Sequence, residues 1–166
     1  MKNRVLALAV VALFVTALTA SAQTGTWTAV GSTGAVEPTQ TGLFATFGGT
    51  RLGFAGGSGN TIVARFNVTN TWGLSDTPPW TTLEVGALNS SLNPVTATLY
   101  QVNPCSGARV QICRSVNDVA GSTGVCTTCT FSGNTFNFAT FLYYVEVSIS
   151  RTATTSSPQL SSLRIR

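Results

Sequence analysis

The sequence predicts an all-β protein, an antiparallel β-sandwich of about eight to ten strands in a jelly-roll or Ig-like arrangement. Three observations carry this: strict apolar–polar alternation in several runs, Gly/Asn/Ser turn clusters between them, and no helical period of useful length after residue 22. A closed β-barrel with the same strand count is the alternative, because alternation looks the same in both.

The chain opens with a leader. Lys2 and Arg4 make a basic start, Val5 to Leu18 is apolar, and Ala20-Ser21-Ala22 forms an A-x-A cleavage site before Gln23. The apolar run falls short of the roughly 20 residues that a spanning helix needs. Residues 1–22 therefore read as a cleaved signal peptide and 23–166 as one secreted domain, extracellular or periplasmic, with no transmembrane segment.

Four runs then alternate cleanly. Ile62, Ala64, Phe66 and Val68 share one face, with Arg65 and Asn67 on the other. Leu83, Val85 and Ala87 alternate with Thr82 and Glu84, and Val95, Ala97 and Leu99 with Thr96, Thr98 and Tyr100. Tyr143, Val145, Val147 and Ile149 point inward against Tyr144, Glu146 and Ser148, and their β-branched richness fits a strand. Weaker strands are expected over Thr26–Val30, Gly42–Phe47, Thr50–Phe54, Ala108–Val116, Val125–Phe131, Thr135–Phe138 and Leu160–Ile165. Turn chemistry lies between them at Gly48-Gly49, Gly56 to Gly59, Asn103 to Gly107 and Ser132 to Asn134, and the short spacing favours hairpins. Asn70–Trp80 and Arg151–Pro158 read as longer loops. Gly121–Gly124 reads as a flexible loop and not a phosphate cradle, since no lysine or strand-to-helix context accompanies it.

Cys105, Cys113, Cys126 and Cys129 are an even set in an exported chain, which predicts two disulfides and no free thiol. If Asn103–Gly107 is a tight turn, Cys113 lies roughly 20 Å down the return strand. It then pairs with Cys126 or Cys129, and Cys105 takes the remaining one. If the hairpin turns later, near Gly107–Arg109, Cys105 and Cys113 become cross-strand neighbours. A redox site at Cys126-Thr-Thr-Cys129 lacks a following helix or nearby cation. A four-cysteine zinc site lacks a second C-x-x-C knuckle.

Composition narrows function by exclusion. The chain has no histidine, only 8% charged residues and a formal charge of +4. Histidine triads and histidine metal sites are ruled out, and an arginine excess without a cluster is a poor footprint for nucleic acid. The five acids are Glu37, Asp76, Glu84, Asp118 and Glu146. Glu84 and Glu146 are the best-placed pair for glycoside hydrolysis, but the plainer reading of each is a solvated strand position. No histidine or mature lysine is present to activate a serine. A noncatalytic protein without cofactor or metal is expected. Asn117-Asp118 reads as a turn pair before a calcium site.

Aromatic residues are the remaining clue. Tyr100 and Tyr144 point away from the apolar face, and Trp72 and Trp80 flank a proline-stiffened loop. Exposed rings on a rigid sheet suit stacking against sugars or a protein surface, although Trp80 at a strand start equally suits plugging the core. The expectation is a secreted binder of extracellular carbohydrate or another envelope component, with these four aromatics as its site. The alternative is a structural, self-assembling subunit binding copies of itself, with Gln23–Gln40 as an arm that adds a strand to a neighbour.

Overall fold

The computed structural model describes residues 25–166 apart from 41, 57–59, 74, 90–92, 119, 120 and 153–156. The leader and its cleavage site lie outside the described residues. The strands are β1 (Trp27–Val30), β2 (Ala35–Val36), β3 (Phe44–Phe47), β4 (Arg51–Phe54), β5 (Asn60–Val68), β6 (Thr82–Asn89), β7 (Val95–Val102), β8 (Arg109–Asn117), β9 (Gly121–Thr130), β10 (Leu142–Arg151) and β11 (Gln159–Ile165). They form two antiparallel sheets and no closed barrel. One runs β3-β4-β11-β6-β9, with β1 also on β11, and the other runs β2-β5-β10-β7-β8.

From β5 onward the chain passes back and forth between sheets, keeping only β7 and β8 as a local hairpin. The four-strand orders β4-β11-β6-β9 and β5-β10-β7-β8 are those of a jelly roll. Sequence neighbours thus mostly face each other across the core, whereas hairpins were expected. Burial drives the wrapping, since each sheet hides one face only against the other. The four alternating runs keep their phase: Ile62, Ala97, Val145 and Val147 are fully buried, as are Leu83 and Val85 from the opposite sheet. Each of the Ile, Val and Leu side chains is worth about 1.5–3 kcal/mol relative to exposure.

The two sheets are joined along one side by side chains. Cys113 and Cys129 form a disulfide with Cα atoms 6.0 Å apart. The Ser115 hydroxyl bonds the Thr127 hydroxyl at 2.8 Å, and Asn117 Nδ2 donates to the Val125 carbonyl at 2.9 Å. These rungs fall at every second residue of β8 and β9, as period two requires of inward positions.

Several expectations are corrected. Thr135–Phe138 is a loop, because Phe136 and Phe138 both turn toward Trp80 and the hydroxyl of Tyr143 takes up the backbone on either side of Phe136. Gly121–Gly124 begins β9, held by the pairing of Gly121 with Asn89. The described part of the Gln23–Gln40 arm is built into the chain's own sheets, β1 on β11 and β2 on β5.

Candidate functional site

The outer face of the five-stranded sheet carries its side chains in rows across the strands. Asn67, Tyr144, Tyr100 and Gln111 make one row, from β5 through β10 and β7 to β8. Leu142, Val102 and Arg109 make the row on one side, and Arg65, Glu146, Thr98 and Arg114 the row on the other. Tyr100 and Tyr144 stand directly opposite each other because their strands are in register, and both are half-buried. Their centroids are 5.2 Å apart with planes at 24°. At that separation two nearly parallel rings cannot lie side by side, so they stack with an offset. The two rings therefore present edges and hydroxyls to a partner, and not a flat two-ring floor.

Arg109 completes the stack. Its guanidinium carbon lies 5.0 Å from the centroid of Tyr100, and Nη1 donates to the hydroxyl of Tyr144 at 3.1 Å. That hydrogen bond, together with the nearby phenols and Glu146, raises the guanidinium further above its ordinary pKa. A β-bulge brings Arg109 to this face. Leu99 pairs with Cys113 but Tyr100 pairs with Gln111, which leaves Ile112 as an extra residue in β8. Cys113, Ser115 and Asn117 face inward, so an unbroken strand would turn Gln111 and Arg109 inward as well. The bulge reverses that phase. Sequence reasoning did not single out Arg109, yet a signal exists in the adjacent apolar residues Ile112-Cys113, which break the alternation of β8.

The neighbouring row is ionic. Arg65 reaches Glu37 at 2.5 Å and Glu146 at 2.9 Å. Partial burial lowers the pKa of Arg65, but the two carboxylate hydrogen bonds outweigh it and the net shift is upward. Glu146 lies 3.8 Å from Arg109, a looser contact.

The other expected site residues lie elsewhere. Trp80 is 2% exposed, its ring edge-on to Phe136 and Phe138, and its indole N–H donates to the Gly25 carbonyl at 2.9 Å. It fills the end of the core, because the proline-stiffened loop delivers it inward, and it is corrected from binding residue to core residue. Trp72 packs partly against the core, its backbone N–H held by the Asn70 side chain. Neither tryptophan belongs to the tyrosine rows. Glu84 is on β6 and Glu146 on β10, strands of opposite sheets that each turn the carboxylate outward, so the two cannot flank one glycosidic bond.

Two disulfides were expected and one is present; Cys105 and Cys126 are exposed and free. Cys105 sits in the β7–β8 turn, where Asn103 Oδ1 accepts from its N–H, and Gly107 closes the turn at φ 69°. Cys126 faces out of β9 opposite Gly86. The rungs put Cys126 level with Val116, on the order of 25 Å from that turn at ~3.4 Å per residue. A disulfide needs Cα atoms within about 7 Å. Asn117 is fully buried in its rung, and no group of three or more ligating side chains occurs among the described residues.

A cleft of about 530 Å³ lies at the sandwich edge between β1 and β5, lined by Trp27, Phe66 and Asn67 among others. It meets the tyrosine rows only through Asn67. No helix of the described residues is long and apolar enough to cross a membrane.

No protein-family model and no curated protein matches the chain. Among solved structures, it is similar to a carbohydrate-binding module, CBM36, in complex with calcium and xylotriose, at TM-score 0.48 and 10% identity over 84% of this chain and 99% of that one. It is also similar to CsCBM6-3 from Clostridium stercorarium in complex with cellobiose, at 0.49 and 13% over 82% and 90%. A third is the xylan-binding module CBM15, at 0.49 and 13% over 85% and 95%. The likeness is one of overall shape, and no site residue is carried over from it.

Proposed function

We propose that this chain is an exported, noncatalytic protein that binds carbohydrate on the outer face of its five-stranded sheet. The observation that carries the reading is the Tyr100–Tyr144–Arg109 stack. It sets two rings and a fixed guanidinium on a sheet face beside Gln111 and Asn67, with Leu142 left 59% exposed. Sugars present C–H surfaces for rings and hydroxyls for planar polar groups, and this face offers both. An aromatic stack exposed to water costs burial that a soluble domain recovers when a partner covers it. The basic start, apolar run and A-x-A site support export, and the Cys113–Cys129 bond suits an oxidising compartment.

Sedimentation with insoluble cellulose, chitin and xylan, using the wild type, Tyr144→Ala and Thr128→Ala, tests it. Thr128 is exposed on the opposite sheet. The expected result is retention of the wild type and Thr128→Ala on at least one polymer and release of Tyr144→Ala. Equal retention of all three would place the binding elsewhere.

A further inference from the structure

We propose that the tyrosine face selects an acidic polysaccharide, a chain carrying repeated carboxylates, with Arg109 and Arg114 each holding one. This rests on the carbohydrate reading above. The argument is one of unspent charge. Arg65 has a carboxylate oxygen at 2.5 Å and another at 2.9 Å, so its cation is matched. Glu146 serves Arg65 first and stands 3.8 Å from Arg109, whose one short hydrogen bond goes to the hydroxyl of Tyr144. The Arg114 side chain is exposed and has no hydrogen bond or ion pair among the described residues. On the opposite sheet, by contrast, Arg164 and Arg166 both share Glu84 at 3.6 and 3.1 Å.

Placement makes these two cations a ligand feature. The tyrosine row lies between the row of Arg109 and the row of Arg114, so a sugar ring against Tyr144 would have a guanidinium on either side. The bulge at Ile112 puts both arginines on that face. Their Cα atoms are on the order of 14 Å apart at ~3.4 Å per residue, beyond the reach of one small anion and suited to successive charges on a chain. A guanidinium meets a carboxylate through two parallel N–H donors, and that of Arg109 already lies over the Tyr100 ring. With only 8% charged residues there is little general field, so local pairing sets the preference.

Affinity electrophoresis of the exported protein in gels containing polygalacturonate, dextran sulfate or hydroxyethylcellulose decides the matter. Retardation should be strongest in polygalacturonate, and Arg114→Gln should weaken it about tenfold, as loss of one charge-assisted contact implies, with mobility in hydroxyethylcellulose unchanged. Arg114 has no partner to lose among the described residues, and an unchanged melting temperature confirms the fold of the variant. Equal retardation in hydroxyethylcellulose, or no effect of Arg114→Gln, overturns the acidic preference and leaves the carbohydrate reading standing. Dextran sulfate retarding as strongly as polygalacturonate also overturns it, as plain attraction to polyanions. No retardation in any gel, with Tyr144→Ala indistinguishable from the wild type, removes the carbohydrate reading and this inference with it.

Discussion

Tyr143 and Tyr144 are neighbours in sequence and opposite in fate. The Tyr143 hydroxyl, buried, accepts from the Asn137 N–H at 2.8 Å and donates to the Thr135 carbonyl at 3.2 Å, which ties the aromatic loop to β10. Tyr143→Phe leaves those backbone groups without that partner and is expected to cost about 1–3 kcal/mol in urea denaturation. Tyr144→Ala removes a half-exposed ring and should keep the melting temperature within a few degrees while abolishing retention on polysaccharide. Alternation made that difference legible, because period two assigns faces without any knowledge of partners. It gave no such help for Trp80, which sits at a loop end, where no period applies. Its Phe136 contact and indole bond predict a loss of about 3–5 kcal/mol for Trp80→Ala, read as a lower urea midpoint.

At the scale of elements, β8 joins structure to site. Its inward residues are tied to β9, and its bulge turns Arg109 and Gln111 toward the tyrosines. Deleting Ile112 should straighten β8 while keeping Gln111 opposite Tyr100 and Arg109 opposite Val102, so polysaccharide retention should stay near the wild-type level with the far-UV spectrum retained; retention lowered to the level of Tyr144→Ala would mean that this register does not present the site. The disulfide closes a sequence separation of 16 residues, for which loop entropy gives about 3 kcal/mol. Reductant should lower the urea stability by that amount. Thiol titration of unreduced protein should find two thiols per chain, whereas zero would restore a second disulfide. The cysteine spacing alone left several pairings open because the path from β8 to β9 changes sheets, and nothing local in the sequence records such a crossing. β2 went unread for a simpler reason, since two residues carry no period.

Across the whole molecule, the long alternating strands were enough to predict an all-β chain, while the choice of sandwich over barrel and the jelly-roll order depend on which sheet each strand joins. That order decides the chemistry. It separates Glu84 from Glu146 by the thickness of the core, and it sets β10 beside the β7–β8 hairpin so that Tyr144 meets Tyr100 and Arg109 from a distant stretch of chain. Only the two tyrosines were visible beforehand. The most direct test of the binding face is a two-dimensional amide NMR titration with oligogalacturonides and with neutral cello-oligosaccharides. Shift changes should gather at residues 65–67, 98–102, 109–114 and 142–146. Changes gathered on the outer positions of β6, β9 and β11, around Glu84, Thr128 and Arg164, or in the cleft between β1 and β5, would contradict the account.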